Sequence, residues 1–202
     1  MSRTPYIIGV TGGIGSGKSV VSRLLRLMGV PVYDCDGEAK RLMCQSTAIR
    51  AALVDAAGEG VYDAQGRLDR SYLAAYMFGH AERVALVNSI VHPVVRADFR
   101  AWARQTGRAV VAVESAILFE AGMEADVDAV WVVHAPEALR VCRAISRDGS
   151  DAEAIHRRMQ SQMSEQEYMR RADVVLHNDG LHSLIAQTRA ALALQAKYGA
   201  EG

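Results

Sequence analysis

A glycine-rich segment between two apolar stretches constrains this chain more than any other feature. The segment "GVTGGIGSGKSV" (residues 9–20) fits the pattern G-x-x-x-x-G-K-[ST], with Gly12, Gly17, Lys18 and Ser19 at its fixed positions. Glycine loses more backbone freedom on folding than any other residue, so this density indicates a loop that a ligand must approach closely. In such loops the backbone N–H groups surround a polyphosphate, the lysine reaches the β- and γ-phosphates, and the serine hydroxyl ligates Mg²⁺. We therefore predict a site for ATP or GTP.

The stretches on either side of the loop support this interpretation. "YIIGV" (6–10) is a short apolar run typical of a buried strand, and residues 18–28 carry apolar side chains at helical spacing. "VPVYD" (30–34) predicts a second strand, and strand–helix–strand within about 30 residues is a βαβ unit of a parallel sheet. We predict that the nucleotide is bound by the loop and the first helical turn: Gly13, Ile14, Gly15, Ser16, Gly17, Lys18, Ser19 and Val20.

The rest of the chain predicts an α/β fold with a five-stranded parallel sheet flanked by helices. Three further apolar runs, at 109–114, 129–135 and 173–178, lack polar alternation, as expected for strands covered on both faces. Between the second and third strands the pattern is helical throughout. We predict a single domain, whose parts are a core at about 1–36, 109–139 and 173–202, an inserted helical lobe at about 37–108, and a lid at about 140–172.

Composition excludes several other classes. The 23 basic and 23 acidic residues cancel, which argues against a nucleic-acid-binding protein. Cys35, Cys44 and Cys142 have no CxxC spacing, so we expect a reducing cytoplasm rather than a disulfide framework. The first residues lack a signal-peptide pattern, and no apolar run approaches the roughly 20 residues that cross a bilayer. We expect a cytoplasmic protein that is a monomer or a weak homo-oligomer.

Two aspartates follow the second predicted strand, in "YDCDGEAKRL" (33–42). In open α/β sheets ligands bind at the carboxyl ends of the strands. Asp36 could therefore accept the proton of a hydroxyl that attacks the γ-phosphate, with Asp34 supporting it or holding Mg²⁺ through water. The alternative is that an aspartate here caps the following helix.

Arginines are concentrated in the predicted lid. Arg140, Arg143 and Arg147 are spaced so that they share one helix face, and Arg158 and Gln162 share another. A closed lid could direct such guanidinium groups at a transferring phosphoryl group. The alternative is a solvated basic face that pairs with neighbouring acidic residues.

The fate of the γ-phosphate is not decided by the loop alone. No N-K-x-D run typical of GTPases is present. The length of 202 residues and the arginine-rich tract favour a kinase that acts on a small molecule. The other hypotheses are a kinase for another nucleotide or small alcohol, and a nucleotide-binding switch without kinase turnover, which would need neither an acceptor base nor a lid.

Six segments, in the same order, resemble the dephospho-CoA kinase family, and the similarity runs from about residue 6 to 180. They are "GVTGGIGSGKS", "VYDCDGEAKRLM", "GRLDRSYLAAYMF", "LVNSIVHPVVR", "ILFEAGM" and "RRMQSQMSEQEYMRRADVVLHNDG". The resemblance implies a P-loop kinase fold with a helical substrate lobe and a lid. It also implies phosphorylation of the ribose 3′-hydroxyl of dephospho-CoA with ATP and Mg²⁺, the last step of coenzyme A synthesis.

The resemblance implies roles for individual residues. Asp36 matches the second aspartate of the family's D-x-D, the base for the 3′-hydroxyl, and Thr11 matches the threonine that opens the loop. Four residues would contact the substrate: Thr11, Asp34, Asp36 and His92, the last in an "HP" pair of the helical lobe. The predicted catalytic residues are Asp36, Lys18, Arg143 and Arg147, and the predicted metal ligand is Ser19.

Overall fold

The computed structural model describes residues 4–149 and 151–200, with side chains described as far as residue 195. Residues 1–3 and 201–202 of the predicted core and residue 150 of the predicted lid lie outside the described residues. The chain divides into two compact units, one formed by Cys35–Trp102 and the other by the remaining residues on both sides of it.

One unit contains a parallel sheet of five strands, which confirms the predicted α/β class. The strands are β1 Tyr6–Thr11, β2 Val32–Asp34, β3 Val110–Glu114, β4 Ala129–His134 and β5 Val174–His177. Their order across the sheet is β2-β3-β1-β4-β5, and every neighbouring pair is parallel. β2 begins two residues later than predicted, because Pro31 has no N–H to donate to a β-ladder.

Nine helices surround the sheet or form the second unit within the described ranges. They are α1 Lys18–Leu27, α2 Cys35–Gln45, α3 Thr47–Ala57, α4 Arg70–Met77, α5 Ala81–Gln105, α6 Glu137–Asp148, α7 Ala152–Gln160, α8 Glu165–Arg170 and α9 Leu184–Ala200. None of these helices is long and apolar enough to cross a membrane.

The core of the sheet unit anchors the glycine-rich loop at both ends. Ile8 and Val10 of β1 are fully buried, and Val21 and Leu25 of α1 pack into the same cluster. Trp131 on the neighbouring strand is also fully buried there. Because both flanking elements are buried, the loop between them is held at the carboxyl end of the sheet.

The second unit is helical, as the spacing of its apolar residues predicts. Ile49, Leu53 and Val61 are fully buried within it. The turn-rich stretch before α4 is closed by a bridge between Tyr62 and Leu68. α4 then begins after Asp69, whose side chain accepts a hydrogen bond from the N–H of Tyr72.

Local caps also define the helices of the predicted lid. Asp151 accepts from the N–H of Ala154 at the start of α7, and Ser164 accepts from the N–H of Glu167 at the start of α8. α6 ends at Asp148, where Gly149 adopts a left-handed conformation with φ 65°. The breaks between the lid helices are therefore encoded by short-range signals.

Candidate active site

The glycine-rich loop joins β1 to α1 and packs closely against Asn178, the residue that follows β5. Gly17, which precedes α1, has φ 101°, a conformation that side chains rarely adopt. A Cβ at this position would lie 2.1 Å from Nδ2 of Asn178. That same Nδ2 donates a hydrogen bond to the carbonyl of Ser16 at 2.8 Å. The glycine is therefore required both by the loop's conformation and by its contact with Asn178.

Lys18 turns back over the loop from the first position of α1. Its Nζ donates to the carbonyl of Gly12 at 2.8 Å and to that of Gly13 at 3.2 Å. The ammonium group thus lies beside the first half of the loop. Ser19 and Val20 follow in the first turn of the helix, and both are exposed.

Two buried hydroxyls accompany the loop. Thr11 is fully buried and Ser16 is 1% exposed, and neither hydroxyl has a hydrogen-bond partner among the described residues. A buried hydroxyl without a partner costs free energy, so such groups are most often found where a ligand or water completes them. Ser16 lies within the segment that the sequence assigns to the nucleotide, and Thr11 lies just before that segment.

Carboxylates lie at the ends of two adjacent strands. Asp34 on β2 pairs in register with Glu114 on β3, and Glu114 in turn pairs with Val10 on β1. Burial raises the pKa of Glu114, and the neighbouring Asp34 carboxylate raises it further. The Ser22 hydroxyl, Lys18 and Arg26 act in the opposite direction but do not cancel the effect of burial. The site therefore holds a carboxyl group that favours its protonated form more than an ordinary glutamate does.

Mg²⁺ fits the oxygen groups at this edge of the sheet. The exposed hydroxyl of Ser19, with the carboxyl oxygens of Asp34 and Glu114, represents the hard oxygen chemistry that this ion prefers. Within the described ranges, no group of three or more His, Cys, Asp or Glu side chains could hold a metal by itself.

Asp36 and His92 belong to the helical unit. Asp36 is the second residue of α2 and is exposed. In the first turn its carboxylate interacts favourably with the positive end of the helix dipole. Because Asp36 lies inside the helix, it is not the capping residue before it. His92 lies within α5 immediately before Pro93, and partial burial lowers its pKa.

Lid residues reach the loop from α6 and from the segment between α7 and α8. The main-chain N–H of Ile14 donates to Oε1 of Gln162 at 2.8 Å, from the segment after α7. Arg140 of α6 lies above Gly13, where an added Cβ would be 2.0 Å from Nη1 of the arginine. The loop is therefore covered on its Gly13–Ile14 side by the lid.

The two arginines predicted to be catalytic differ in their surroundings. Nη2 of Arg143 donates to the carbonyl of Asn178 at 3.1 Å, and its Nη1 is buried with no hydrogen-bond partner among the described residues. Nε of Arg147 donates to Asp148 at 2.7 Å on an exposed part of the chain. Asp148 also accepts from Nη1 of Arg158 at 2.8 Å, and these two arginines hold the pKa of its carboxyl well below the usual range.

The structure also adds two residues that the sequence did not single out for the site. Asn178 directly follows the last strand. The sequence signal that could have found it is this position at the carboxyl end of a strand, where ligands bind in open α/β sheets. Glu165, the first residue of α8, contacts both His134 and Arg140. No local pattern marks Glu165, because its partners are 25 or more residues away.

The comparison with protein families decides what kind of protein this is. The family model for dephospho-CoA kinase matches residues 6–183. This chain belongs to the dephospho-CoA kinase family. Dephospho-CoA kinase from Bacteroides fragilis is 46% identical over 181 residues, covering 89% of this chain and 88% of that protein. The Salinibacter ruber relative is 45% identical over 176 residues, covering 86% of this chain and 88% of its own.

Solved structures agree with the fold of this kinase. A crystal structure of a Thermus thermophilus protein has a TM-score of 0.82 and 34% identity, covering 96% of this chain and 98% of that one. A Campylobacter jejuni dephospho-CoA kinase covers 96% and 98% of the two chains with a TM-score of 0.61 and 19% identity. The latter match shows a shared fold. The recognition made from the six sequence segments, and the assignment as a kinase, are therefore confirmed.

Proposed function

We propose that this kinase transfers the γ-phosphoryl group of ATP to the ribose 3′-hydroxyl of dephospho-CoA, giving coenzyme A in the last step of its synthesis. The observation that carries the proposal is the family match over residues 6–183. The glycine-rich loop supports it, because Gly12, Gly15 and Gly17 have positive φ and leave no room for a Cβ. The relatives named above carry the same activity in their names.

ATP is bound by the loop from Gly13 to Val20 in this proposal. The backbone N–H groups of the loop and the N-terminus of α1 face the phosphates. Lys18, now beside the carbonyls of Gly12 and Gly13, exchanges them for β- and γ-phosphate oxygens. Mg²⁺, held by the hydroxyl of Ser19, supplies positive charge that offsets the negative charge of the phosphates.

Proton removal from the acceptor is assigned to Asp36. The 3′-oxygen forms a bond to the γ-phosphorus, the bond from that phosphorus to the bridging oxygen of ADP breaks, and the carboxylate takes the proton. Thr11, Asp34 and His92 are proposed to contact dephospho-CoA. Arg143 and Arg147 are proposed to stabilise the transferring group, for which Arg147 must release Asp148.

Partners and location follow from the same proposal. The substrates are ATP and dephospho-CoA. Nucleic acid is not among the proposed partners, since the 23 basic and 23 acidic residues cancel and nucleic-acid-binding domains usually carry a basic excess. Cys44 and Cys142 are exposed free thiols, which supports a reducing cytoplasm. We propose a monomer or a weak homo-oligomer without membrane attachment, which sedimentation of the purified protein at several concentrations would test.

The test is an acceptor-dependence assay. ADP formation from ATP is measured with dephospho-CoA, with no acceptor, and with a panel of nucleosides, shikimate and gluconate. We expect rapid turnover only with dephospho-CoA, together with formation of a 3′-phosphate in the product. Equal or faster turnover with another acceptor would replace the proposed substrate, and no acceptor-dependent turnover would indicate a nucleotide-binding switch.

A further inference from the structure

Arg140 is held in one place above the glycine-rich loop. Its side chain is only 13% exposed, although arginine is usually a surface residue. Nη1 lies over Gly13. The main-chain carbonyl oxygen of Arg140 packs against Gly15, where an added Cβ would be only 2.2 Å from it. Both the helix backbone and the guanidinium group therefore pack on the loop.

The position of this guanidinium group relative to the nucleotide follows from Lys18. The ammonium group of Lys18 contacts the carbonyls of Gly12 and Gly13, and in loops of this type the lysine binds the β- and γ-phosphates. Arg140 lies at that same Gly13 end. The buried Nε of Arg140 has no hydrogen-bond partner in the described part of the chain. A donor without a partner at this end of the loop suits the terminal phosphate of a triphosphate.

A carboxylate bridge connects Arg140 to the sheet. Oε2 of Glu165 is 3.6 Å from Nη2 of Arg140, and Oε1 is 3.0 Å from Nδ1 of His134. Nδ1 of the histidine and Nη2 of the arginine therefore face the two oxygens of one carboxylate, each within ion-pair distance. Three elements thus meet at one carboxylate: the end of β4, the first turn of α6 and the start of α8.

The histidine in this bridge is itself fixed. His134 is paired in register with His177 on β5, and the two rings pack edge to face with centroids 5.5 Å apart. The side chain of His134 is 19% exposed. The cavity left beside Gly13, His134, Arg140 and Glu165 is about 10 Å³, which holds no more than one water. The ring has little freedom to turn away from the carboxylate.

We infer that Glu165 and His134 are positioning residues for Arg140, which they hold so that its guanidinium group meets the γ-phosphate of ATP. This inference rests on the proposed function, because it assigns the arginine to the transferred group. An arginine side chain loses much rotamer freedom when it is fixed, and a bridge that fixes it in advance removes that cost from the reaction. An ion pair with an exposed carboxylate contributes little to stability, so positioning is the larger effect.

The test compares two glutamates of the same helix. Glu165→Gln keeps the size of the side chain and removes its charge. Glu167→Gln is the matched control, since Glu167 also pairs with an arginine, Arg170, which is largely exposed. Calorimetry with ATP and with ADP, each with Mg²⁺, measures recognition of the γ-phosphate. We expect Glu165→Gln to weaken ATP binding about tenfold and ADP binding by less than about twofold, while Glu167→Gln changes neither.

Variants of the histidine separate positioning from folding. His134→Phe keeps a ring against His177 but removes the polar nitrogen that faces Glu165, and we expect the same selective loss for ATP. His134→Asn places a polar N–H group there again, and we expect it to restore part of the binding. The double variant with Glu165→Gln loses no more than either single variant, because both changes break one bridge. The thermal unfolding midpoint of each variant is measured alongside.

The results that would overturn the inference are specific. They are unchanged ATP affinity in Glu165→Gln, equal losses for ATP and ADP, or losses that follow the unfolding midpoint. If the wild-type protein does not phosphorylate dephospho-CoA, the proposed function fails. The comparison of ATP with ADP needs no acceptor and still decides the role of Glu165 and His134.

Discussion

The main-chain N–H of Ile14 donates a hydrogen bond to Oε1 of Gln162 at 2.8 Å, although the two residues are 148 positions apart. The contact joins the glycine-rich loop to the segment between α7 and α8. Because the donor belongs to the loop backbone, a change at Gln162 acts on the nucleotide site without altering any residue of the glycine-rich motif.

Replacing Gln162 by Ala should therefore impair the nucleotide site more than the fold. Loss of one hydrogen bond costs about 1 kcal/mol, so we expect kcat/KM for ATP to fall roughly fivefold. Steady-state kinetics with saturating dephospho-CoA measure the change. Gln160→Ala, at an exposed position two residues earlier, is the control and should retain wild-type kinetics. Equal effects of the two changes would refute a specific role for the contact with Ile14.

Lys18→Ala and Asp36→Asn should both abolish most turnover but for different reasons. Lys18→Ala should weaken ATP binding because it removes the ammonium group that binds the β- and γ-phosphates. Asp36→Asn leaves ATP binding intact and lowers kcat by about 10²–10⁴-fold, the usual contribution of a general base. Calorimetry with ATP and single-turnover kinetics separate the two. Asp55→Asn, at an exposed position of α3, should behave as wild type; normal turnover in Asp36→Asn would remove Asp36 as the base.

Arg147 can be distinguished from a purely structural arginine through its partner. If it stabilises the transferring phosphoryl group, Arg147→Ala should lower kcat by about 10²-fold or more, as Arg143→Ala should. Asp148→Asn breaks the ion pair but leaves the arginine, so it should retain kcat. The three variants are compared at saturating ATP and dephospho-CoA. If Asp148→Asn reproduces Arg147→Ala, the arginine acts only by pairing with Asp148.

The raised pKa of Glu114 predicts how stability depends on pH. Burial makes the folded protein bind this proton more tightly than the unfolded chain does, so between the ordinary pKa, 4.5, and the raised folded pKa the native state carries more protons. This carboxyl group therefore lowers stability as pH rises through that window. Glu114→Gln has no ionisable group at this position, so it removes this part of the fall in stability.

Thermal unfolding from pH 4 to pH 7 measures this effect. The unfolding midpoint of Glu114→Gln should rise relative to that of wild type as pH increases. The difference between the two midpoints should become constant above the pKa of Glu114 in the folded protein. Asp55→Asn serves again as a control, with a difference from wild type that does not grow in this way. A constant difference for Glu114→Gln across the range would show that burial does not raise this pKa.

Much of the fold could be predicted because its signals are local. The five apolar runs became five parallel strands, and the cap of α8 is formed by Ser164, one residue before the helix begins. β2 is the exception, since Pro31 shortens it. The positions of Asp34 and Glu114 at adjacent strand ends follow from the parallel order of the sheet, but their register became visible only in the structure.

Helical spacing predicts which residues share a face but not what that face contacts. Arg140, Arg143 and Arg147 lie on one helix, yet they contact Glu165, the carbonyl of Asn178 and Asp148 respectively. Separations of three and four residues keep these arginines on one side of α6, whereas the surroundings change with each turn. The separation of these three arginines therefore depends on packing against other elements.

By itself, the sequence determined the glycine-rich loop, since every group that forms it lies within about a dozen consecutive residues whose conformation depends on glycine. It determined the strands for a similar reason, because burial on both faces requires an unbroken apolar run. Only the tertiary structure decided that Arg140, Gln162 and Asn178 meet this loop and that Glu165 joins Arg140 to His134. Those contacts link residues far apart in the chain, and no short-range pattern encodes them.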